Sequence, residues 1–179
     1  MATSVTYATS FAGPIGATST ITYDGYGRPV QTTIPDGATT TYSYTYNPNT
    51  QTATLGNRWK KTTLDGFGRV TRVEMGHDST TVSTVDTQYG PCACSPLGKL
   101  WRVSQPHAPG ANPVWTTYTY DASGRTLTVA APDAGVTHYS YQGNQTTVTD
   151  AAGKWKTYTA DAFGNLVKVT EPNPNSGGD

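Results

Sequence analysis

Five segments of the chain align without gaps on one glycine, and repetition of that kind restricts the fold to an array of similar units. They open at Tyr23-Asp24-Gly25-Tyr26-Gly27-Arg28, Leu64-Asp65-Gly66-Phe67-Gly68-Arg69, Ser95-Pro96-Leu97-Gly98-Lys99, Tyr120-Asp121-Ala122-Ser123-Gly124-Arg125 and Ala160-Asp161-Ala162-Phe163-Gly164-Asn165. Asp stands three places before the glycine in four of the five, and Ser95 takes that place in the third. Five places after the glycine stand Thr32, Val73, Val103, Val129 and Val169; eight places after stand Pro35, Gly76, Pro106, Pro132 and Pro172. The long period is about 40 residues, from Gly27 to Gly68 and from Gly124 to Gly164. Around Gly98 the spacing shrinks to 30 and 26.

The spacing has a local physical reading. An Asp carboxylate accepts backbone N–H groups two residues on. Gly takes the left-handed conformation that closes a type I turn with a bulge. Each repeat therefore ends one strand at Tyr-Asp, reverses, and opens the return strand at Gly-Arg. That strand runs to the Pro or Gly eight places on. A second turn follows at Pro35-Asp36-Gly37 or Pro132-Asp133-Ala134-Gly135, then a strand of alternating tyrosines, Tyr42-Ser43-Tyr44 or Tyr139-Ser140-Tyr141. Composition agrees: 34 Thr, 12 Tyr and 4 Trp favour strands, while two Glu, six Leu and two Met leave little to build a helix. The fold class predicted is all-β, a chain of antiparallel β-hairpins with no significant helix.

Period two assigns the faces. Counting back from the turn Asp, odd offsets carry Ile21 and Tyr23, Leu64, and Tyr118 and Tyr120. Even offsets carry Thr20 and Thr22, Thr117 and Thr119, and Thr157 and Thr159. The first set, with Val73, Val103, Val129 and Val169, is predicted to be buried, and Thr20, Thr22, Thr117 and Thr157 to be exposed. Trp59, Trp115 and Trp155 each lie six residues before a turn Asp, on the threonine side, and are candidate ligand-stacking residues. Trp101 follows its glycine by three, where other repeats have Val30, Thr71, Leu127 and Val167, and reads as core.

Twelve basic and twelve acidic side chains give no net charge, so the chain lacks the basic footprint of a nucleic-acid binder. No apolar run approaches the length of a membrane-spanning helix, and membrane insertion is not expected. Residues 1–5 have neither the charge nor the apolar run of a secretion signal. The tail from Glu171 reads as a linker, as though the chain were a piece of a longer protein.

Candidate chemistry is sparse. Cys92-Ala93-Cys94 lacks the second ligand pair of a zinc site. Spacing favours two thiols or a locally constrained loop, with a disulfide, an inter-chain linkage or a metal shared with another chain as alternatives. Asp24, Asp65, Asp121 and Asp161, with Arg28, Arg69 and Arg125, occupy one common turn position together with Gly27, Gly68, Gly98, Gly124 and Gly164. Capping of the turn is therefore expected of them, not general acid–base work. His77, His107 and His138 share no repeat position. No catalytic residue, metal site or cofactor is predicted.

Tyr-Asp-x-x-Gly-Arg followed by an aliphatic strand and Pro-Asp-Gly resembles the YD repeats of bacterial Rhs proteins, of insecticidal toxin-complex shells and of teneurins. The resemblance covers roughly Thr18 to Pro172. It implies a spiral, solenoid-like array of hairpins, which in long members closes into a hollow cocoon around a toxin. Five repeats are too few for a cocoon, and the Asp-Pro dipeptide of the family's autocleaving segment does not occur. The organisation expected is an N-terminal strand or linker over 1–17, five repeats forming one β array over 18–172, and a flexible tail over 173–179. The function implied is a non-catalytic structural module, secreted or at the cell surface, whose partner is the rest of a longer Rhs-type chain. Two other readings stand beside it. One is a carbohydrate- or protein-binding module using the Trp/Thr face. The other is head-to-tail self-assembly into filaments, with Val5 to Phe11 completing the next copy's sheet. An enzyme comes last.

Overall fold

A computed structural model describes residues 4–8 and 18–173, with side chains from Thr18 onward. Residues 9–17, including Phe11, and the tail from 174 lie outside it. The described residues form fifteen β-strands and no helix. They are β1 (Ser4–Ala8), β2 (Thr18–Tyr23), β3 (Pro29–Thr33), β4 (Thr39–Tyr46), β5 (Asn49–Leu55), β6 (Arg58–Leu64), β7 (Val70–His77), β8 (Thr80–Cys92), β9 (Ser95–Ser104), β10 (Trp115–Tyr120), β11 (Thr126–Ala130), β12 (Val136–Gln142), β13 (Gln145–Thr149), β14 (Trp155–Ala160) and β15 (Leu166–Thr170). Each pairs antiparallel with its sequence neighbours, so the ladder order is the chain order. This is the all-β hairpin array that the repeat spacing requires.

The chain divides into two compact units. One runs up to Asp86 and takes in Pro106–Asn112; the other comprises Thr87–Gln105 and the chain from Pro113. Strand β8 contributes to both, pairing with β7 over Thr80–Asp86 and with β9 from Thr87.

Strand pairing carries the two faces from hairpin to hairpin. In the first unit Ile21 pairs with Thr32, Thr32 with Thr40 and Thr40 with Leu55, while Thr22 pairs with Gln31 and Gln31 with Thr41. In the second, Tyr118 pairs with Val129, Val129 with Thr137, Tyr139 with Val148 and Thr146 with Tyr158. The opposite face holds threonine pairs joined by their hydroxyls: Thr33–Thr39 at 3.1 Å, Thr45–Thr50 at 2.6 Å, Thr119–Thr128 at 2.6 Å and Thr147–Thr157 at 2.8 Å.

Burial departs from the sequence expectation. Among the described residues no hydrophobic side chain is buried, and the residues that are buried are Thr50, Thr84 and Ser104. Tyr23, Leu64, Val73, Val103, Tyr118, Tyr120 and Val129 are only half-buried, and Val169 is exposed. Thr20, Thr22, Thr117 and Thr157 are half-buried too, not the more exposed set. Trp101, read as core, is 44% exposed. The reason is architectural. Within each unit strands touch their ladder neighbours, and no second layer among the described residues covers either face. Alternation separates the faces without burying one.

Candidate functional site

Four turns share one geometry. At the first, the Asp24 N–H donates to the Arg28 carbonyl at 2.9 Å and Gly27 N–H donates back to the Asp24 carbonyl at 3.1 Å. Asp65, Asp121 and Asp161 open the same pair of bonds with Arg69 and Gly68, Arg125 and Gly124, and Asn165 and Gly164. The four glycines take φ of 76°, 77°, 82° and 84°, the left-handed region that a β-carbon disfavours. A bulge precedes each turn, at Thr22/Tyr23, Thr63/Leu64, Thr119/Tyr120 and Thr159/Ala160. The same backbone closure recurs at Ile34–Ala38, Ala131–Gly135 and Asp150–Lys154.

The carboxylate holds each turn from both sides. Asp24 Oδ1 accepts from the Tyr26 and Arg28 N–H groups at 2.9 and 3.0 Å, while Oδ2 accepts from Arg28 Nε at 2.8 Å. Asp65 and Asp121 repeat this with Arg69 and Arg125. At the last turn Asn165 Nδ2 replaces the guanidinium Nε, reaching Asp161 Oδ2 at 3.0 Å. These bonds favour the ionised carboxylate. The Arg28 side chain holds Asp24 below its ordinary range, the Arg125 backbone N–H and side chain do so for Asp121, and Asn165 does so for Asp161. At Asp65, desolvation is the largest influence and opposes the shift, yet the Arg69 and Phe67 bonds outweigh it.

The arginine then reaches beyond its turn. The Arg28 guanidinium lies 4.2 Å from the Tyr44 ring centroid, and Arg125 lies 4.4 Å from that of Tyr141. Tyr44 donates its hydroxyl to the Pro29 carbonyl at 2.7 Å, and Tyr141 donates to Thr126 at 2.8 Å. Asp, Arg and Tyr thus form a repeated clamp that fastens a turn to the strand of the next hairpin. Sequence reading missed the tyrosine's part. Its signal was present: Tyr44 and Tyr141 occupy equivalent places in the two tyrosine-alternating strands.

The third repeat is built differently from the expected pattern. Cys92 pairs with Ser95, so the reversal is at Ala93-Cys94, and a Cys92–Cys94 disulfide closes it. Gly98 is therefore no turn glycine. It lies within β9 with φ 73°, where a β-carbon would strike the Gly90 carbonyl oxygen. Lys99, in the place of the repeat arginine, donates to the Gly124 carbonyl and lies 4.4 Å from the Tyr120 centroid.

The tryptophans differ in freedom. The Trp59 indole N–H donates to the Asp78 carbonyl at 3.1 Å, and its ring packs over Gly76. Arg102 lies over both Trp115 and Trp101, at 4.2 and 4.3 Å. Trp155 lines a cleft of about 300 Å³ with Lys154, Lys156, Glu171 and Pro172.

One polar cluster lies outside the repeat pattern. Asp86 accepts from Arg72 Nε at 2.6 Å and meets His107 Nε2 at 3.1 Å. Burial works against the ionised form of Asp86, but Arg72 and His107 together hold it below its ordinary range. Backbone bonds between Thr84 and His107 fix the same loop to β8. His77 meets the neighbouring Asp78 at the surface, and His138 is exposed on β12. Among the described residues no group of three or more His, Cys, Asp or Glu is placed to hold a metal ion.

Residues 120–154, which carry the Asp121–Arg125–Tyr141 clamp, match the RHS Repeat family. No curated protein matches the chain. Among solved structures it is similar to the TcdB2–TccC3–Cdc42 crystal structure, at 14% identity and a TM-score of 0.38 over 88% of this chain and 12% of that one. It is also similar to the Tc holotoxin pore of Photorhabdus luminescens with a TccC3 mutation, at 12% identity and a TM-score of 0.39 over 90% of this chain and 12% of that one. A third, TcdB2–TccC3 without its hypervariable C-terminal region, gives 12% identity and 0.37 over 87% and 11%. The chain thus spans about an eighth of the length of these proteins. The family resemblance thus rests on one unit, residues 120–154, which is similar to an RHS repeat.

Proposed function

We propose that the chain is a non-catalytic structural module, a section of an Rhs-type shell, whose open faces and edges are completed by further β-structure of the same kind. The observation that carries this reading is the repeated Asp–Arg–Tyr clamp, an arrangement whose polar groups are spent on one another and on backbone. In this reading Asp24, Asp65, Asp121 and Asp161 serve as turn caps. The completing structure is the rest of a longer secreted or surface-exposed chain, or other copies of this one.

Self-association is supported by the last strand. Among the described residues β15 is the last strand of the ladder, and on it Leu166 and Val167 are 60% exposed and Val169 47%. A strand edge that is left unpaired is a template for another strand. Unlike edges meeting head to tail extend into a filament unless the contact closes. Among the described residues β1 is the first strand of the ladder, and it pairs with β2 of its own chain. Negative-stain electron microscopy tests this reading: fibres for the native chain, lost when Val167→Lys and Val169→Lys charge the edge, support it. Dispersed single particles at every concentration sink the self-assembly.

Glycan recognition is the second reading, and Trp155 carries it. Its cleft pairs an aromatic ring with Lys154, Lys156 and Glu171, a set that suits stacking and hydrogen bonding to a sugar. Glycan-array binding abolished by Trp155→Ala would establish that role, and no binding to any glycan would remove it.

A further inference from the structure

The Cys92–Cys94 pair closes a β-turn that the Asp–Gly chemistry of the other repeats closes without sulfur, and its surroundings differ on its two sides. Cys92 lines a cleft of about 340 Å³ together with Gly90, Lys99, Trp101, Tyr118 and Tyr120. Ala93, between the cysteines, is exposed, so solvent reaches the turn. Cys94 faces the next turn instead. Its Sγ and the Lys99 Nζ stand 3.4 and 3.3 Å from the point where a β-carbon on Gly124 would sit, so sulfur and ammonium both lie against this glycine. Lys99 is held there by the Gly124 carbonyl and the Tyr120 ring.

From this juxtaposition we infer that Cys92–Cys94 is a thiol–disulfide exchange site, with a small external thiol as its reductant. The cleft admits a thiolate to Cys92 Sγ. Attack there forms a bond between the external sulfur and Cys92, breaks the Cys92–Cys94 bond, and leaves the electron pair on Cys94 as a thiolate beside the Lys99 ammonium. A neighbouring cation favours a thiolate, and a better-stabilised thiolate leaves faster. A second external thiolate attacks the external sulfur of the mixed disulfide, releasing a small-molecule disulfide and the Cys92 thiolate. Two external thiols are oxidised, one protein disulfide is reduced, and the two protons they lose end on the two cysteines. The bond that opens is the one closing the β8–β9 reversal, so exchange converts a tied turn into a free one.

The test starts with the native chain in millimolar reduced and oxidised glutathione, quenched with acid, alkylated and weighed intact. Two alkyl groups per chain, gained while the far-ultraviolet spectrum stays that of folded β-structure, are expected. Labelling only after unfolding overturns the site. Trapping the mixed disulfide tests the direction of attack. Brief exposure of the native chain to reduced glutathione, followed by acid quench, alkylation and peptide mapping, is expected to place glutathione on Cys92 and the alkyl group on Cys94. Glutathione on Cys94 contradicts the assignment of Cys92 as the attacked sulfur. Lys99→Gln slows the first step by about tenfold in the native disulfide chain; an unchanged rate removes the lysine from the mechanism.

Discussion

Arg125 lies over the ring of Tyr141 at 4.4 Å while Tyr141 donates its hydroxyl to Thr126, the residue that follows that arginine. Arg28 and Tyr44 do the same with Pro29. Each arginine is therefore held by the carboxylate of its own turn and covered by the ring of the next hairpin. A hairpin alone is marginal in water, and a contact that spans hairpins converts several of them into an array.

The clamp is measurable by a double-mutant cycle. Arg125→Ala and Tyr141→Phe probe its two halves, the first removing the stacked cation and the second the hydroxyl. Tyr141→Phe should cost about 1 kcal/mol for the lost hydrogen bond. Arg125→Ala and Tyr141→Ala should couple by about 0.5–1 kcal/mol in urea unfolding, the range of a partly exposed cation–π pair. Strict additivity would show that ring and guanidinium are merely adjacent.

Glycine substitutions separate backbone strain from steric contact. Around Gly27 and Gly164 an added β-carbon meets nothing within 4 Å, so Gly→Ala there carries only the left-handed backbone cost, about 1 kcal/mol. Gly76 has an ordinary φ, but its β-carbon would run into the Thr80 carbonyl and the Trp59 ring. Gly76→Ala should therefore be the more destabilising, by about 2 kcal/mol or more, and should shift Trp59 fluorescence. Equal losses at the sites would contradict that division.

Acid should weaken the fold through the turn carboxylates. Asp24, Asp65, Asp121 and Asp161 are held below the ordinary carboxylate range in the folded chain. Where the folded carboxyl is the stronger acid, the unfolded chain binds more protons as pH falls. Their contribution is therefore complete above the unfolded value and is lost as pH drops through the folded ones. The thermal midpoint should be flat from neutral pH to about 5 and fall below about 4. Asp121→Asn should lower it at neutral pH and flatten the acid limb.

The Asp86 cluster fixes the 106–112 loop to the first unit, since His107 bonds Asp86 through its ring and Thr84 through its backbone. His107→Ala should speed hydrogen exchange at the Thr84 amide and leave the amides of β14 unaffected. Unchanged exchange at Thr84 would mean the backbone bridge stands without the imidazole.

What the sequence revealed was local. Asp24-x-x-Gly27 specifies its own turn, because the carboxylate and the left-handed glycine act within five residues, and period two assigns Thr22 and Tyr23 to opposite faces. The turn at Asp150-Ala151-Ala152-Gly153 escaped because Thr149 and Lys154 replace the flanking Tyr and Arg, although its carboxylate accepts the Ala152 and Lys154 N–H groups in the same way. The two-residue reversals at Gly56-Asn57 and Gly143-Asn144 sit between the repeat motifs and were likewise unread. Burial was misjudged at Val169 and Trp101 because alternation tells which face a side chain takes. It does not tell whether anything covers that face. Ser95-Pro96-Leu97-Gly98 imitated the turn pattern while Cys92 and Cys94 moved the reversal upstream.

The central claim is that this is a structural section whose unfinished edges are completed by more of the same β-structure. Multi-angle light scattering across a wide concentration range tests it most directly. The account predicts a mass that rises above 19.0 kDa with concentration and returns to it when Val167 and Val169 are replaced by lysine. A single 19.0 kDa species throughout, indifferent to those substitutions, would contradict completion of the edges by copies of this chain.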